Sequence, residues 1–552
     1  MNGSIERAPS TIIDRDLNPA PARDRRGGFA WHLLAGVLLV ITIVHHPILF
    51  SGFRYTQADL LDSRFNNYLL EHSYQWLTCR ASFWNPAFCY PEPNLIACSD
   101  LMISFAPPYW AARLCGFAPD TAFQIWMLAA TAINFLAAYL LLRSGLRFNR
   151  ESAWTAAILF ACAGSRVVQL GHQQLYCQAY VLLALYALLR FSMKRRFGWA
   201  VLAAVAVAAQ FWGGFYMGFF LTLAIAIGIA WVIVVKRFEH RPFTRRTAVK
   251  LALAAMIFAM LVASAASHYG SIARQAKAPD TSVIAAMLPT IKAWFYCGDS
   301  SVMYRRLNPF FADLPAPFEQ AIGLGLITTI VATIGLWSAR RRPLILVVLL
   351  TSLSIIMITT RFGETASLWW IIRKVIPGAS AIRAVSRIGL LFPIPAALGV
   401  AIVLERLRAQ RRILIATLVA IVCLAEQMHH AQAYDKFQMR AEVARITNAI
   451  PSDAQAFFFT GGDSSHWAMD QVDAMTASME SHIPTINGYS GTWPPAIRTL
   501  IMGDMPANNA KLQKLLNEWI AANHLDPRHV AWLVETPTAI VRRSPSTELP
   551  SR

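Results

Sequence analysis

The chain has 552 residues, 56% of them hydrophobic and only 15% charged, with 50 Lys and Arg against 31 Asp and Glu. A soluble chain of this length would usually form several domains and carry charge on about a quarter of its residues. Here the apolar excess falls in blocks of roughly 20 residues, enough to cross a hydrocarbon core of about 30 Å, which excludes a soluble enzyme, a fibre and a disordered scaffold.

The first block, about 29–50, follows Arg23, Arg25 and Arg26 and ends at His45, His46 and Pro47. It is too long for a cleaved leader and has no small-residue exit, so it reads as a retained span. Ten further spans are predicted near 121–142, 153–170, 175–193, 198–212, 215–235, 248–267, 319–338, 343–360, 388–405 and 412–428. Only Trp212-Gly213-Gly214 separates the fifth from the sixth. Eleven spans place the clusters at Arg143/Arg147/Arg150, Lys194/Arg195/Arg196, Lys236/Arg237/Arg241/Arg245/Arg246, Arg340/Arg341/Arg342 and Arg406/Arg408/Arg411/Arg412 on one face with the N-terminal arginines. By the positive-inside rule that face is cytoplasmic. Most of the net charge of +19 is therefore a topology signal, and nucleic acid is not an expected partner.

The long segments 51–120, 268–318, 361–387 and everything from His429 fall on the opposite face, where loops carried by a rigid scaffold are expected to hold the site. In the first of them, Asp59-Leu-Leu-Asp62-Ser-Arg64-Phe-Asn66-Asn67-Tyr68 begins a helix. Its apolar stripe at Leu61, Phe65, Leu69 and Trp76 predicts an element lying along the membrane interface. Asp59 and Asp62 project from nearly one side of it. They suit either a solvated acidic helix start or a general base at the outer surface, with Arg64 and His72 holding it or a phosphate. Phe83-Trp84-Asn85-Pro86, Tyr90-Pro91 and Pro107-Pro108 follow, too rich in proline for a continuous helix and suited to an aromatic loop at headgroup level.

Arg166 lies about one turn before the predicted outer turn Gly171-His172-Gln173-Gln174, where His172 suits a phosphate or a hydroxyl. The segment 268–318 carries Lys292, Trp294, Tyr296, Asp299, Tyr304, Arg305 and Arg306 and reads as a loop able to close over a donor. Loop 361–387 breaks the charge rule with Arg361, Arg373, Lys374, Arg383 and Arg387. Arg383 and Arg387, four apart, can share a helical face and bind an anionic headgroup. The part from His429 onward changes character. Strands are predicted at Phe457–Phe459, Val530–Val534 and Ala539–Val541, with a helix carrying Trp467, Val472 and Met475, which together make a small α/β domain. Its loop Asn487-Gly488-Tyr489-Ser490 is a candidate acceptor contact.

Together these features resemble GT-C glycosyltransferases such as protein O-mannosyltransferases and the aminoarabinose transferase of lipid A. In those enzymes a catalytic acid sits in the first outer loop. The strings Asp62-Ser-Arg-Phe-Asn-Asn-Tyr, Phe-Trp-Asn-Pro and Ala381-Ile-Arg-Ala-Val-Ser-Arg387 also look like those of bacterial GT-C-like membrane proteins. The resemblance covers residue 29 to the end. It implies a mainly α polytopic protein with a small α/β domain: a cytoplasmic tail (1–28), a membrane domain (29–428) and a periplasmic C-terminal domain (429–552), in a bacterial inner membrane. It further implies inverting transfer of a sugar from a polyprenyl-phosphate donor to a glycan, lipid or protein acceptor, among membrane lipids. A transporter or flippase and a non-catalytic envelope-assembly factor are the rival readings.

By this resemblance Asp62 takes the catalytic-base position, with Asp59 as its substitute, because the family often shows Asp-Glu where this chain has Asp59-Leu-Leu-Asp62. Donor-phosphate contacts fall to Arg64, His72, His172, Arg383 and Arg387. Acceptor or loop contacts fall to Asn66, Trp84, Tyr90, Asp299 and Tyr489. No sequential ligand motif marks a metal, so no metal ligand is assigned; Mg or Mn held by Asp299 with Asp59 or Asp62 stays open. Walker-type and zinc spacings are absent. Three cysteines in the first outer segment, Cys79, Cys89 and Cys98, leave any disulfide pairing open.

Overall fold

The computed structural model describes residues 26–238, 244–275, 279–461, 466–493, 497, 498, 500, 509–536 and 538–543. Arg23, Arg25, Arg241, Gly462, Asp463, Pro494 and Pro495 lie outside them.

Helix α1 (Arg26–Phe50) has non-helical geometry at His45, just before Pro47, whose ring removes a backbone hydrogen bond. After β1 (Tyr55–Gln57) and α2 (Asp62–Leu77) come α3 (Pro107–Leu114) and α4 (Pro119–Tyr139). The expected third span is broken into α5 (Arg150–Ala161) and α6 (Gly164–Val168). Arg166, fully buried, explains the break: its guanidinium donates to the carbonyls of Phe160 (2.6 Å) and Tyr176 (2.5 Å), groups that a helix end leaves without partners. One turn, α7 (Gln173–Tyr176), then leads into α8 (Ala179–Lys194).

Helices α9 (Phe197–Gly213) and α10 (Phe215–Phe238) separate at Gly213-Gly214, as the sequence predicts. The chain continues through α11 (Arg245–Gln275), α12 (Thr281–Ala286), α13 (Leu326–Ser338), α14 (Pro343–Thr359), α15 (Trp369–Val375), α16 (Pro393–Ala409) and α17 (Ile413–Ala425). The eighth expected span thus begins seven residues later than predicted, leaving Glu319 in the loop before α13. Among the described residues, six helical stretches are long and apolar enough to cross a membrane singly, and four apolar helices are shorter. The chain is a multi-pass membrane protein. Helices α13 and α16 meet closely at two glycines: a Cβ on Gly335 would lie 2.0 Å from the Gly399 carbonyl oxygen.

Beyond α17, β2 (Ala433–Asp435) pairs antiparallel with β1, joining Tyr55 to Asp435. Then come α18 (Lys436–Ala449), capped by the Asp435 side chain, β3 (Ala456–Thr460), α19 (Trp467–Ser481), α20 (Asn509–Ala522), β4 (Val530–Glu535) and β5 (Ile540–Arg543). Strand β4 is central, parallel to β3 and antiparallel to β5, and α18 and α19 pack against the sheet. This α/β layer sits on α2 through α19. Helix α2 is consequently enclosed, with Ser63–Asn66 and Tyr68–Tyr74 buried, instead of lying open along the membrane interface. Phe65 and Leu69 of the apolar stripe are covered, Phe65 by Tyr489 of the C-terminal layer, while Trp76 at the far end of α2 stays exposed.

Candidate active site

The first turn of α2 is built by Asp59. Its Oδ1 accepts hydrogen bonds from the backbone N–H groups of Leu61 (2.8 Å) and Asp62 (2.7 Å), donors that a helix start would otherwise leave unpaired. The other oxygen rests on Gly171, where a Cβ would come within 1.8 Å of it. Glycine at 171 therefore lets the α6–α7 turn close on the start of α2. Asn66, one turn further along α2, ties the two elements by donating to the side chains of Gln173 (2.6 Å) and Gln174 (3.0 Å).

This docking places His172 beside Asp62, with Nε2 3.1 Å from Asp62 Oδ2. The Tyr489 hydroxyl, reaching in from the C-terminal layer, donates to Asp62 Oδ1 at 2.9 Å. Both carboxylate oxygens are thus held while about a third of the Asp62 side chain remains open (32% exposed). Behind His172 lies Arg387, with Nη2 at 3.1 Å from His172 Nε2. Arg387 is gripped in bidentate fashion by Glu319, at 2.8 and 2.5 Å, and its guanidinium lies over the Tyr216 ring. The Tyr216 hydroxyl accepts from the backbone N–H of Arg383 (3.0 Å), leaving the exposed Arg383 side chain at the rim. Asp100 completes the cluster by accepting from the Phe215 N–H at 2.6 Å.

The two acids of the pair differ in charge preference. Burial first, and the Asp62 charge second, push the Asp59 carboxyl above its ordinary range. Burial also acts to raise Asp62, but His172, Tyr489 and Arg387 outweigh it and hold the carboxyl below its ordinary range. Burial raises Asp100 as well, against the pull of the Phe215 N–H and the Arg387 charge. At neutral pH Asp62 is therefore an ionised, partly open carboxylate able to accept a proton, while Asp59 works as a helix cap.

Asp59, Asp62, His172, Arg387 and Tyr489 converge, Arg383 stands at the rim, and Asn66 is spent on tying α2 to the turn. Five other candidates lie in different contacts. Arg64, buried, pairs with Asp473 on α19, so its charge joins the C-terminal layer to α2 and is not free for a phosphate. His72 is buried and bonds the Phe83 carbonyl at 2.9 Å. Trp84 stacks on His268 with ring centroids 3.7 Å apart. Tyr90 meets the C-terminal layer through its backbone, bonded to Thr485 and Trp519, and Asp299 accepts from the Tyr296 hydroxyl at 2.6 Å. Among the described residues no three His, Cys, Asp or Glu side chains converge as metal ligands, and all eight cysteines are free thiols. Asp470 and Asp473, near His466 in sequence, have separate partners: Asp470 accepts from the Gly461 N–H and Asp473 from Arg64.

Glu319, Asp100 and Tyr216 are site residues that sequence reasoning missed. The signal for Glu319 was present, an acid heading an apolar run where ionisable groups are costly.

No protein-family model matches the sequence, and no curated protein does either. Among solved structures the chain is similar to the arabinofuranosyltransferase AftD from Mycobacteria, at TM-score 0.51 and 14% identity, over 94% of this chain and 36% of that one. It is also similar to the Archaeoglobus fulgidus oligosaccharyltransferase, at TM-score 0.52 and 13% identity, over 92% of this chain and 69% of that one. The chain thus spans little more than a third of AftD. A likeness at this identity is one of architecture: the chain shares the overall fold of these two proteins, a helical membrane bundle over most of its length.

Proposed function

We propose that the chain is a glycosyltransferase that moves a sugar from a polyprenyl-phosphate donor to a hydroxyl or amine acceptor on the outer face of a bacterial inner membrane. The observation that carries this reading is Asp62: an ionised carboxylate, open on one side and held by His172 and Tyr489, with the Arg383 side chain exposed near Tyr489. The acceptor X–H is deprotonated by Asp62 as X attacks the anomeric carbon. The new C–X bond forms on the face opposite the donor phosphate, the bond from carbon to phosphate oxygen breaks, and polyprenyl phosphate leaves with the electron pair. That geometry inverts the anomeric centre.

A phosphate leaving group departs as an anion, so a fixed cation supports the step better than an added acid. Arg383 supplies it. Arg387 and His172, already committed to Glu319 and Asp62, are poorly placed to do so. The shared fold supports the reading, as do the activities of both structural neighbours, an arabinofuranosyltransferase and an oligosaccharyltransferase. The test is binding of undecaprenyl phosphate to the protein in nanodiscs. Arg383→Ala should weaken it at least tenfold, and the sugar released onto an acceptor should carry the anomeric configuration opposite to the donor's. Retained configuration, or unchanged affinity in the variant, would overturn this assignment.

A further inference from the structure

His172 Nε2 lies 3.1 Å from Asp62 Oδ2 and 3.1 Å from Arg387 Nη2. One ring nitrogen either carries a hydrogen and donates it or offers a lone pair and accepts. Arginine only donates and a carboxylate only accepts, so His172 can serve one neighbour at a time. Its Nδ1 is buried with no partner, so the second nitrogen does not decide between them. Glu319 lies on the far side of Arg387; the two side chains are 11% and 8% exposed. An anion there balances the guanidinium and weakens its claim on the His172 lone pair.

We propose that Glu319, Arg387 and His172 form a positioning chain that aims and charges Asp62, with His172 donating through Nε2 to Oδ2. The proposal rests on the reading of Asp62 as the base. With Oδ2 held by His172 and Oδ1 by Tyr489, the carboxylate cannot rotate away from an incoming acceptor. The chain reassigns His172 and Arg387, which the sequence suggested as phosphate contacts, and gives Glu319 a role. The charged and titratable groups around His172 are Asp59 and Asp62 from the first outer loop, Asp100 beside α10, Glu319 before α13 and Arg387 before α16. Arg383 and Tyr489 act one step further out.

The experiment uses the full chain in nanodiscs without substrate. The carboxyl carbon resonance of Asp62 in protein labelled with carbon-13 aspartate, assigned by its loss in Asp62→Asn, is followed with pH. His172→Leu should move its midpoint upward by about one pH unit, a tenfold change in ionisation. His172→Gln, which keeps an N–H near the Nε2 position, should restore it. Glu319→Gln should shift the midpoint in the same direction and add nothing in the His172→Leu background, because both act through one hydrogen bond. Undecaprenyl phosphate should bind His172→Leu within about twofold of wild type, since the hydrogen bond lost is one to Asp62 and not one to the phosphate.

An unmoved midpoint, or additive shifts, would overturn the chain, and a tenfold loss of undecaprenyl-phosphate affinity would return His172 to the phosphate. The resonance arm needs no donor. If it succeeds while no sugar donor is turned over, the positioning chain stands and the glycosyltransferase reading falls.

Discussion

Replacing Gly171 by alanine tests whether the docking of the α6–α7 turn onto α2 creates the site. The added methyl would lie 1.8 Å from Asp59 Oδ2 and 2.9 Å from its Cγ, so either the turn or the Asp59 side chain must move. Displacing Asp59 loosens its bonds to the Leu61 and Asp62 N–H groups, worth about 1 kcal/mol for a helix cap. Overpacking adds about 1–3 kcal/mol, giving a destabilisation of roughly 2–4 kcal/mol. A shift of about 1 Å between His172 and Asp62 would also cost around a hundredfold in turnover. Denaturant unfolding in mixed micelles measures the first effect and donor consumption the second. Asp59→Ala removes the atoms that clash, so the double variant should be more stable than the sum of the singles predicts, with a coupling of about 1–3 kcal/mol. Strict additivity would refute the close contact and the role assigned to Gly171.

Three further outcomes follow from particular contacts. Arg64→Ala leaves Asp473 buried without its cation, and unfolding should be easier by about 3–5 kcal/mol while undecaprenyl-phosphate affinity stays unchanged; lost affinity with normal stability would contradict the structural role. Tyr489→Phe removes one donor from the Asp62 carboxylate, worth at the low end of about 1.5–3 kcal/mol because the acid is partly exposed, so turnover should fall about tenfold and its acid limb should move to higher pH. An unchanged pH profile would exclude the contact. Burial foremost raises the Asp470 carboxyl to about 7. A carboxyl raised on folding contributes stability at low pH and loses it as pH climbs from its ordinary range through about 7, so the C-terminal layer should unfold more readily at pH 8 than at pH 5. Asp470→Asn should flatten that dependence, and an equal pH slope in the variant would refute the assignment.

The membrane architecture was legible because hydropathy and loop charge are local properties. Spans near 121–142 and 215–235 match α4 and α10, and the strand at Phe457–Phe459 lies inside β3. The third span was misread because a run of apolar residues does not reveal that Arg166 will be buried against the Phe160 and Tyr176 carbonyls. Interfacial exposure of α2 was misread for a related reason: an apolar stripe marks a buried face without naming lipid or protein as its cover. At the site, the acid pair and His172 were legible from spacing and from the resemblance. Glu319 and Tyr489 meet Arg387 and Asp62 across 68 and 427 residues of chain, contacts made by folding and invisible to spacing. Asp59 and Asp62 look equivalent in sequence. They separate only when one carboxylate caps the helix and the other faces His172 and Tyr489.

The proposed function makes Asp62 the base that deprotonates the acceptor during sugar transfer from a polyprenyl phosphate. Its most direct test is release of polyprenyl phosphate by the full chain in nanodiscs from a panel of polyprenyl-phosphate-linked mannose, glucose, arabinose and aminoarabinose, comparing wild type with Asp62→Asn. Removing a general base should slow turnover by about a hundredfold to ten-thousandfold, with the substituted protein still binding undecaprenyl phosphate. Equal turnover by both proteins, or no turnover of any sugar by wild type, would contradict the account.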